Sequence, residues 1–343
     1  MKIALITPYF TPPVRGNAVT VRRIAAHLVA VGCEANVYSL EGLTAVEILR
    51  EIQQAVPDVI HAFHAHLGGR AAREIARVAG VPYIVTLTGS DAYEALEDGR
   101  REETLAVLHD AAAIVAFDAS VKHRVVDRHP SLAEKTHVIP QGVELPGEDF
   151  RWGTERFDAG EFIFFLPAGL RPVKNIGFAL APLAELLQEE PRVRLLVAGP
   201  VLDADYGATL LAEVERHPFA RYLGVVGRDA IGALYRRADV VLNTSRFEGG
   251  MANSILEAMA LGRPVLAADI EGNRSIVKEG KTGLLFRDEG EFLHKARQLL
   301  EDDALRRHLG GQGLRLVRER FSPEREAAAY RELYGEVLLV GKE

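Results

Sequence analysis

A single cysteine, Cys33, in 343 residues excludes an internal disulfide and any zinc site built on several thiolates. Tryptophan occurs once, and no apolar run approaches the ~20 residues needed to cross a bilayer. Positive charge is in the minority. Forty-one Lys and Arg against 48 Asp and Glu leave a net charge of −7, the wrong sign for a dedicated nucleic-acid binder. The dinucleotide fingerprint G-x-G-x-x-G is missing, which argues against a nicotinamide oxidoreductase. The N-terminus, MKIALITPYFTPPVRG, has too short an apolar run for a secretory leader; it reads as a first strand, and the expected compartment is the cytoplasm. What is present is ordinary for a packed protein: 48% hydrophobic and 26% charged residues, in a chain about two domains long at ~150 residues each.

Short β-branched runs alternate with amphipathic stretches, the pattern of parallel sheets wound with crossover helices. Strands are expected at 2–8, 35–40, 58–63, 82–88, 112–118 and 136–140, then at 162–169, 193–199, 222–226, 240–244, 264–270 and 283–286. Runs such as FIFFL and VRLLVAG are continuously apolar, so these sheets should be buried on both faces. A first helix is expected at 18–31, capped by Asn17 and ended by Gly32. The polar stretch GVELPGEDFRWGTERFDAG breaks the alternation. The predicted organisation is therefore an N-terminal domain over 1–145, a linker over 146–160, a second domain over 161–321, and a tail helix over 322–343 with Ser322 as cap and Pro323 in its first turn. Both domains should be Rossmann-like α/β units, doubly wound around parallel sheets, with ligands at the carboxyl ends of the strands in a cleft between them.

The densest chemical signal is NTSRFEGGMANSILEAMA at 243–260. A strand runs into a glycine-bearing loop and then a helix starting near Asn253 or Ser254, and the positive end of that helix suits a phosphate. Gly249 and Gly250 permit close backbone approach to a ligand. Glu248 and Glu257 could accept sugar hydroxyls, although Ser254-x-x-Glu257 also fits a capping box. A second signal is AGLRPVKN, where Arg171 and Lys174 follow a buried strand and could grip a phosphate. In the N-terminal domain, the loop TPPVRGN lies after strand one and TGSD after another strand. HAFHAH places His61, His64 and His66 near a strand end, without the acidic or cysteine companions of a metal site, so packing or substrate contact is the expectation.

With these residues in view, the chain resembles the retaining glycosyltransferases of the GT-B fold, family 4. The matching segments, in family order, are RGNAVTVRRIAAHL, TLTGSD, GLRPVKN, LLVAGP, YLGVVGR, LYRRADVVLNTS, EGGMANSILEAMALGRPVLA and KEGKTGLLF, and they span nearly the whole sequence. GLRPVK, GNAVT and EGNRSIVKEGKTGLLF look most like the small group called glycosyltransferase 1 domain-containing. The resemblance implies transfer of a hexosyl or N-acetylhexosaminyl group from a nucleoside-diphosphate sugar, with UDP the expected nucleotide, to a small-molecule or glycan acceptor. It implies no metal, no resident cofactor and no dedicated nucleophile. Arg171 and Lys174 would hold the diphosphate, and the backbone of Gly249, Gly250, Met251 and Ala252 the β-phosphate and sugar. Glu248 would contact the sugar hydroxyls and Glu257 the ribose, with Gly227 and Arg228 beside the base. Gly16 and Asn17 would approach the donor phosphates, while Thr88, Asp91 and His64 would face the acceptor. The tail helix would cross back toward the N-terminal domain.

The sequence departs from the family in four places. One residue more than usual separates Glu248 from Glu257, Arg171 stands closer than usual to Lys174, Thr88 replaces a frequent histidine, and Ser275 replaces a frequent glutamate. The alternatives to a transferase are a sugar-nucleotide epimerase or hydrolase of the same fold and a sugar-nucleotide sensor without turnover. Donor consumption without acceptor would mark the first, and binding without consumption the second.

Overall fold

The computed structural model describes residues 1–11, 16–146, 160–248 and 250–340. Two compact units emerge, Met1–Gly142 with Arg320–Glu343, and Val143–Glu319. The expected linker at 146–160 lies almost wholly outside the described residues.

The first unit is built on strands β1 (Lys2–Thr7), β2 (Glu34–Ser39), β3 (Val59–Phe63), β4 (Tyr83–Thr86), β5 (Ala113–Ala116) and β6 (Thr136–Val138). They form one parallel sheet in the order β2-β1-β3-β4-β5-β6. Both faces are covered, as β1 shows. Ile3 and Leu5 point into a core completed by the helix Gly16–Ala30 and the tail helix Pro323–Val340, whereas Ala4 and Ile6 point into a second core on the opposite face.

The tail helix is also held by polar groups. Arg23 donates to both carboxylate oxygens of Glu326, at 2.8 and 3.1 Å, in a fully buried pair. His61 shares hydrogen bonds with the Tyr334 hydroxyl and with Thr86 Oγ1, each at 2.7 Å, and Thr86 Oγ1 lies 3.0 Å from the Tyr330 hydroxyl. Burial pushes the His61 pKa down to about 3, so the ring is neutral at physiological pH, with one nitrogen donating and the other accepting. Tyr334→Phe strands Nδ1 of this ring and is expected to cost about 1–3 kcal/mol in urea unfolding, with little change in the spectrum of the folded protein.

The second unit carries β7 (Phe162–Pro167), β8 (Val193–Ala198), β9 (Ala220–Tyr222), β10 (Val240–Asn243), β11 (Val265–Ala268) and β12 (Leu284–Phe286). Its parallel order is β12-β11-β10-β7-β8-β9, so the winding direction reverses between the neighbours β10 and β7. A strand-order reversal leaves a crevice at the carboxyl ends of the strands on either side of it, because the two connecting helices depart to opposite faces.

Several local expectations are corrected. The first helix begins at Gly16, so Asn17 lies within its first turn instead of capping it; its amide donates to Thr7 Oγ1 at 3.3 Å. Gly32, at φ 86°, ends the helix as expected. The ninth strand covers Ala220–Tyr222 and not 222–226, because Gly224 adopts φ 74°, which no continuing strand accommodates. Among the described residues no helix is long and apolar enough to cross a membrane.

Candidate active site

In the second unit, the carboxyl ends of β7 and β10 bring together residues far apart in sequence. After β7 the chain makes a short 3-10 turn, Pro172–Lys174, closed by Asn175 in the left-handed region at φ 46°. After β10 the chain is tied to that turn twice: Thr244 Oγ1 donates to the Lys174 carbonyl at 2.9 Å, and the Arg246 N–H donates to the Val173 carbonyl at 2.9 Å. These bonds set Lys174 opposite Glu248. The Lys174 ammonium lies 2.5 Å from Glu248 Oε1, and the two side chains are only 17% and 12% exposed.

Glu248 Oε1 is a convergence point. Besides Lys174 it accepts from Ser245 Oγ at 2.7 Å and from Asn243 Nδ2 at 3.1 Å. Burial alone would raise the pKa of this carboxyl. The Lys174 charge and the three hydrogen bonds outweigh it and hold the group below its ordinary value, so Glu248 is ionised. Gly250, at φ 141°, and Met251 lead from this carboxylate into the helix Asn253–Ala260. Gly249 lies outside the described residues.

That helix has Ala252 at its cap position, which offers no side-chain cap, and its positive dipole end faces the loop. The Ser254–Glu257 capping box is therefore not formed. Ser254 sits inside the first turn, and Glu257 turns to tertiary partners instead: Arg228 Nη1 donates to its Oε1 and the Tyr235 hydroxyl to its Oε2, both at 2.8 Å. Burial and the Glu257 charge push the Tyr235 pKa far up, so this hydroxyl remains a donor. Arg228 opens the helix Arg228–Arg237 after Gly227, at whose open position a side chain would meet nothing, and it also donates to the Glu144 carbonyl at 3.1 Å. Arg171 is exposed, and among the described residues its guanidinium has no partner. The extra residue between the glutamates leaves Glu257 on the helix. Among the described residues the Ser275 hydroxyl bonds only locally, to the Gly272 carbonyl at 2.6 Å.

The first unit places its candidate residues at the carboxyl ends of β1, β3 and β4. Gly16 and Asn17 open the helix after β1; Pro12–Arg15 of that loop lie outside the described residues. His64 follows β3 in the left-handed region at φ 70°, which few non-glycine residues adopt. Its Nδ1 accepts the Leu67 N–H at 3.2 Å, which leaves Nε2 as the donor to Ser90 Oγ at 2.9 Å. Asp91 is fully buried, and its carboxylate accepts main-chain N–H groups from Ala65, Thr88, Gly89 and Ala92 at 2.7–3.1 Å. It therefore ties the loop after β3 to the loop after β4, and Thr88 is half-buried on that scaffold. His61, His64 and His66 bond in different directions, and among the described residues no three His, Cys, Asp or Glu side chains gather as metal ligands.

Four residues of the second-unit site were not assigned roles from the sequence: Asn243, Ser245, Tyr235 and Asn273. Asn243 and Ser245 had a visible signal, a polar run directly after a buried strand. Tyr235 and Asn273 had none, since both bond through the fold to residues in other segments.

The family described as Glycosyl transferases group 1 matches residues 161–302, and Glycosyltransferase Family 4 matches residues 42–145. A glycosyltransferase 1 domain-containing protein of Xenopus tropicalis is 28% identical, with 93% of each chain covered. A D-inositol 3-phosphate glycosyltransferase of Geodermatophilus obscurus is 30% identical, over 92% of this chain and 75% of that one. Among solved structures, Anabaena HepE in complex with UDP-glucose matches with a TM-score of 0.83 at 19% identity, covering 98% of this chain and 100% of the other. Sucrose-phosphate synthase from Thermosynechococcus elongatus matches with a TM-score of 0.82 at 20% identity and 99% coverage of both.

Proposed function

The chain belongs to the group 1, family 4 glycosyltransferases and is an enzyme of the GT-B type, and from that premise we propose that it is a retaining transferase. In this reading it moves a hexosyl or N-acetylhexosaminyl unit from a UDP-sugar to a small-molecule or glycan acceptor, without a metal or a resident cofactor. The observation that carries the reading is Lys174 set against Glu248 at the strand-order reversal, beside an uncapped helix start. A cation and a helix dipole together suit a diphosphate, while a carboxylate suits sugar hydroxyls. HepE, whose fold this chain shares, is known in complex with UDP-glucose, which favours the uridine donor.

Each residue then has a task. Lys174 and the exposed Arg171 bind the diphosphate, helped by the backbone of Gly249, Gly250, Met251 and Ala252. Glu248 holds the sugar, because Lys174 takes only one of its oxygens. Glu257 receives the ribose hydroxyls with lone pairs that Arg228 and Tyr235 leave unused, while Gly227 and Arg228 border the base. Gly16 and Asn17 serve the donor phosphates; His64 and Thr88 serve the acceptor, on the loops that Asp91 holds. In the transfer, the bond from the anomeric carbon to the diphosphate oxygen breaks with its electron pair going to the diphosphate. The acceptor oxygen bonds to the same face of that carbon, and its proton passes to the departing phosphate. The protein's part is to stabilise the charge that develops on the leaving group, commonly the largest catalytic contribution.

Incubation with UDP and a panel of UDP-sugars in EDTA is expected to raise Tm. With an accepted acceptor, it should release UDP and give a product of unchanged anomeric configuration by NMR. Binding that disappears in EDTA and returns with manganese overturns the metal-free reading, and an inverted anomer overturns retention. Donor consumed in the absence of acceptor replaces transfer with hydrolysis or epimerisation.

A further inference from the structure

Glu248 is held by a polar chain that begins on a different strand end. Asn273, on the short helix Glu271–Arg274 after β11, is fully buried. Its Nδ2 donates to the Ala268 carbonyl at 2.9 Å and to Asn243 Oδ1 at 3.2 Å. Asn243, itself buried, also receives the Ser245 N–H on Oδ1 at 3.1 Å and passes its own Nδ2 to Glu248 Oε1. The polarity of this chain admits one arrangement. An ionised Glu248 can only accept, so the Asn243 amide must present NH2 to it and oxygen to Asn273. The Asn273 amide, facing that oxygen and a carbonyl, must in turn present NH2. Its own Oδ1 is then left buried with no partner among the described residues, a cost that a leucine of similar volume would not incur.

We infer that Asn273 is a positioning residue that, through Asn243, fixes the direction of the Glu248 carboxylate and so sets which donor sugar is accepted. The inference rests on the donor reading above. Its logic is geometric. Three donors converge on Oε1, and among the described residues Oε2 accepts nothing, so Oε2 is the oxygen left for a sugar hydroxyl. Lys174 is an anchor on a flexible stem, and an arriving diphosphate competes for it. Asn243 sits on the end of β10 and is braced from β11 by Asn273, so this pair keeps the carboxylate aimed once Lys174 is engaged by phosphate. A carboxylate free to rock would meet epimeric hydroxyls almost equally. A fixed one discriminates, because the wrong epimer leaves a buried polar group unpaired.

Asn273→Leu separates this role from a merely structural one when dissociation constants are measured for UDP, UDP-glucose, UDP-galactose and UDP-N-acetylglucosamine. The expected result is unchanged UDP affinity, with the preferred UDP-sugar weakened and the preference between epimers reduced, each by about tenfold. In the Glu248→Ala background the same substitution should have no further effect, because the group that it aims has been removed. Equal weakening of UDP and UDP-sugars, or intact discrimination, overturns the role of Asn273. A parent protein that binds no uridine nucleotide overturns the donor reading instead. If Asn273→Leu does not fold, Asn273→Ala withdraws the same donor from Asn243 Oδ1 without adding bulk, and intact discrimination there overturns the inference equally.

Discussion

Lys174→Ala is expected to lower kcat/KM for the sugar donor by roughly 10²–10³, about 2.7–4 kcal/mol, the usual loss when one preorganised partner of a developing negative charge is removed. Lys174 also matters to folding, because its side chain is only 17% exposed and paired with Glu248. Removing it leaves a largely buried carboxylate with only Ser245 and Asn243 as donors. The variant should therefore also lose on the order of 2–3 kcal/mol of stability, somewhat less than about 3–5 for a fully buried pair. The pH dependence has a definite sign. In the parent, Glu248 titrates below its unfolded value, so its contribution is complete above that value and is lost as pH falls through the folded one. Without Lys174, burial dominates and raises the carboxyl, so the unfolded state sheds its proton first and the variant weakens as pH climbs above the ordinary Glu range. The stability gap between parent and variant thus widens toward neutral pH and closes in acid, which urea unfolding at the two extremes reads directly. Lys174→Ala with Glu248→Gln should recover much of the stability and none of the rate. A single variant with parental kcat/KM would remove Lys174 from the leaving-group site.

The sheets were legible because their signal is local. FIFFL and VRLLVA are apolar without alternation, and they appear as β7 and β8, covered on both faces by the chain's own helices. The strand-end rule was equally local in application. It places Lys174 and Glu248 on one rim, although they stand 74 residues apart. Alternatives stay open in the sequence where a nearby pattern competes with a distant partner. Ser254-x-x-Glu257 has the form of a capping box, yet Glu257 is drawn to Arg228 and Tyr235, 29 and 22 residues away. Two hydrogen bonds from fixed donors outcompete one contact at a helix end. Asp91 shows a related effect: its carboxylate accepts from three amides of its own turn and from a fourth, that of Ala65, in the loop after β3, a partner that the local sequence does not announce. Asn273 gave no signal at all. An asparagine in a loop is expected for turn chemistry alone, and only the packed strand ends of β10 and β11 turn its amide into a brace for Glu248.

Gly272→Ala should disable the donor site from beneath. No positive φ calls for glycine at this position; close approach does. A Cβ there would lie 2.6 Å from the Gly250 carbonyl oxygen, 2.8 Å from Glu248 Cβ and 2.9 Å from the Glu248 carbonyl oxygen. Two of these neighbours are main-chain atoms, so no rotamer change relieves the overlap; the segment bearing Glu248 must move. Gly250, at φ 141°, is the natural place for that movement to be absorbed, at the expense of the geometry leading into the helix Asn253–Ala260. Overpacking of this kind costs about 1–3 kcal/mol of stability, which leaves a folded protein. Function is more sensitive, because a displacement approaching ~1 Å at a positioned group costs on the order of 10²-fold in rate. The expected outcome is therefore a folded variant with a modestly lowered Tm and kcat/KM reduced about a hundredfold. Gly311→Ala provides the control: it lies on the exposed face of the helix Asp303–Arg320, where a new Cβ meets nothing within 4 Å, and should be neutral or slightly stabilising with parental activity. Parental kcat/KM in a folded Gly272→Ala protein would mean that the backbone bearing Glu248 shifts without consequence, and that the sugar is held elsewhere.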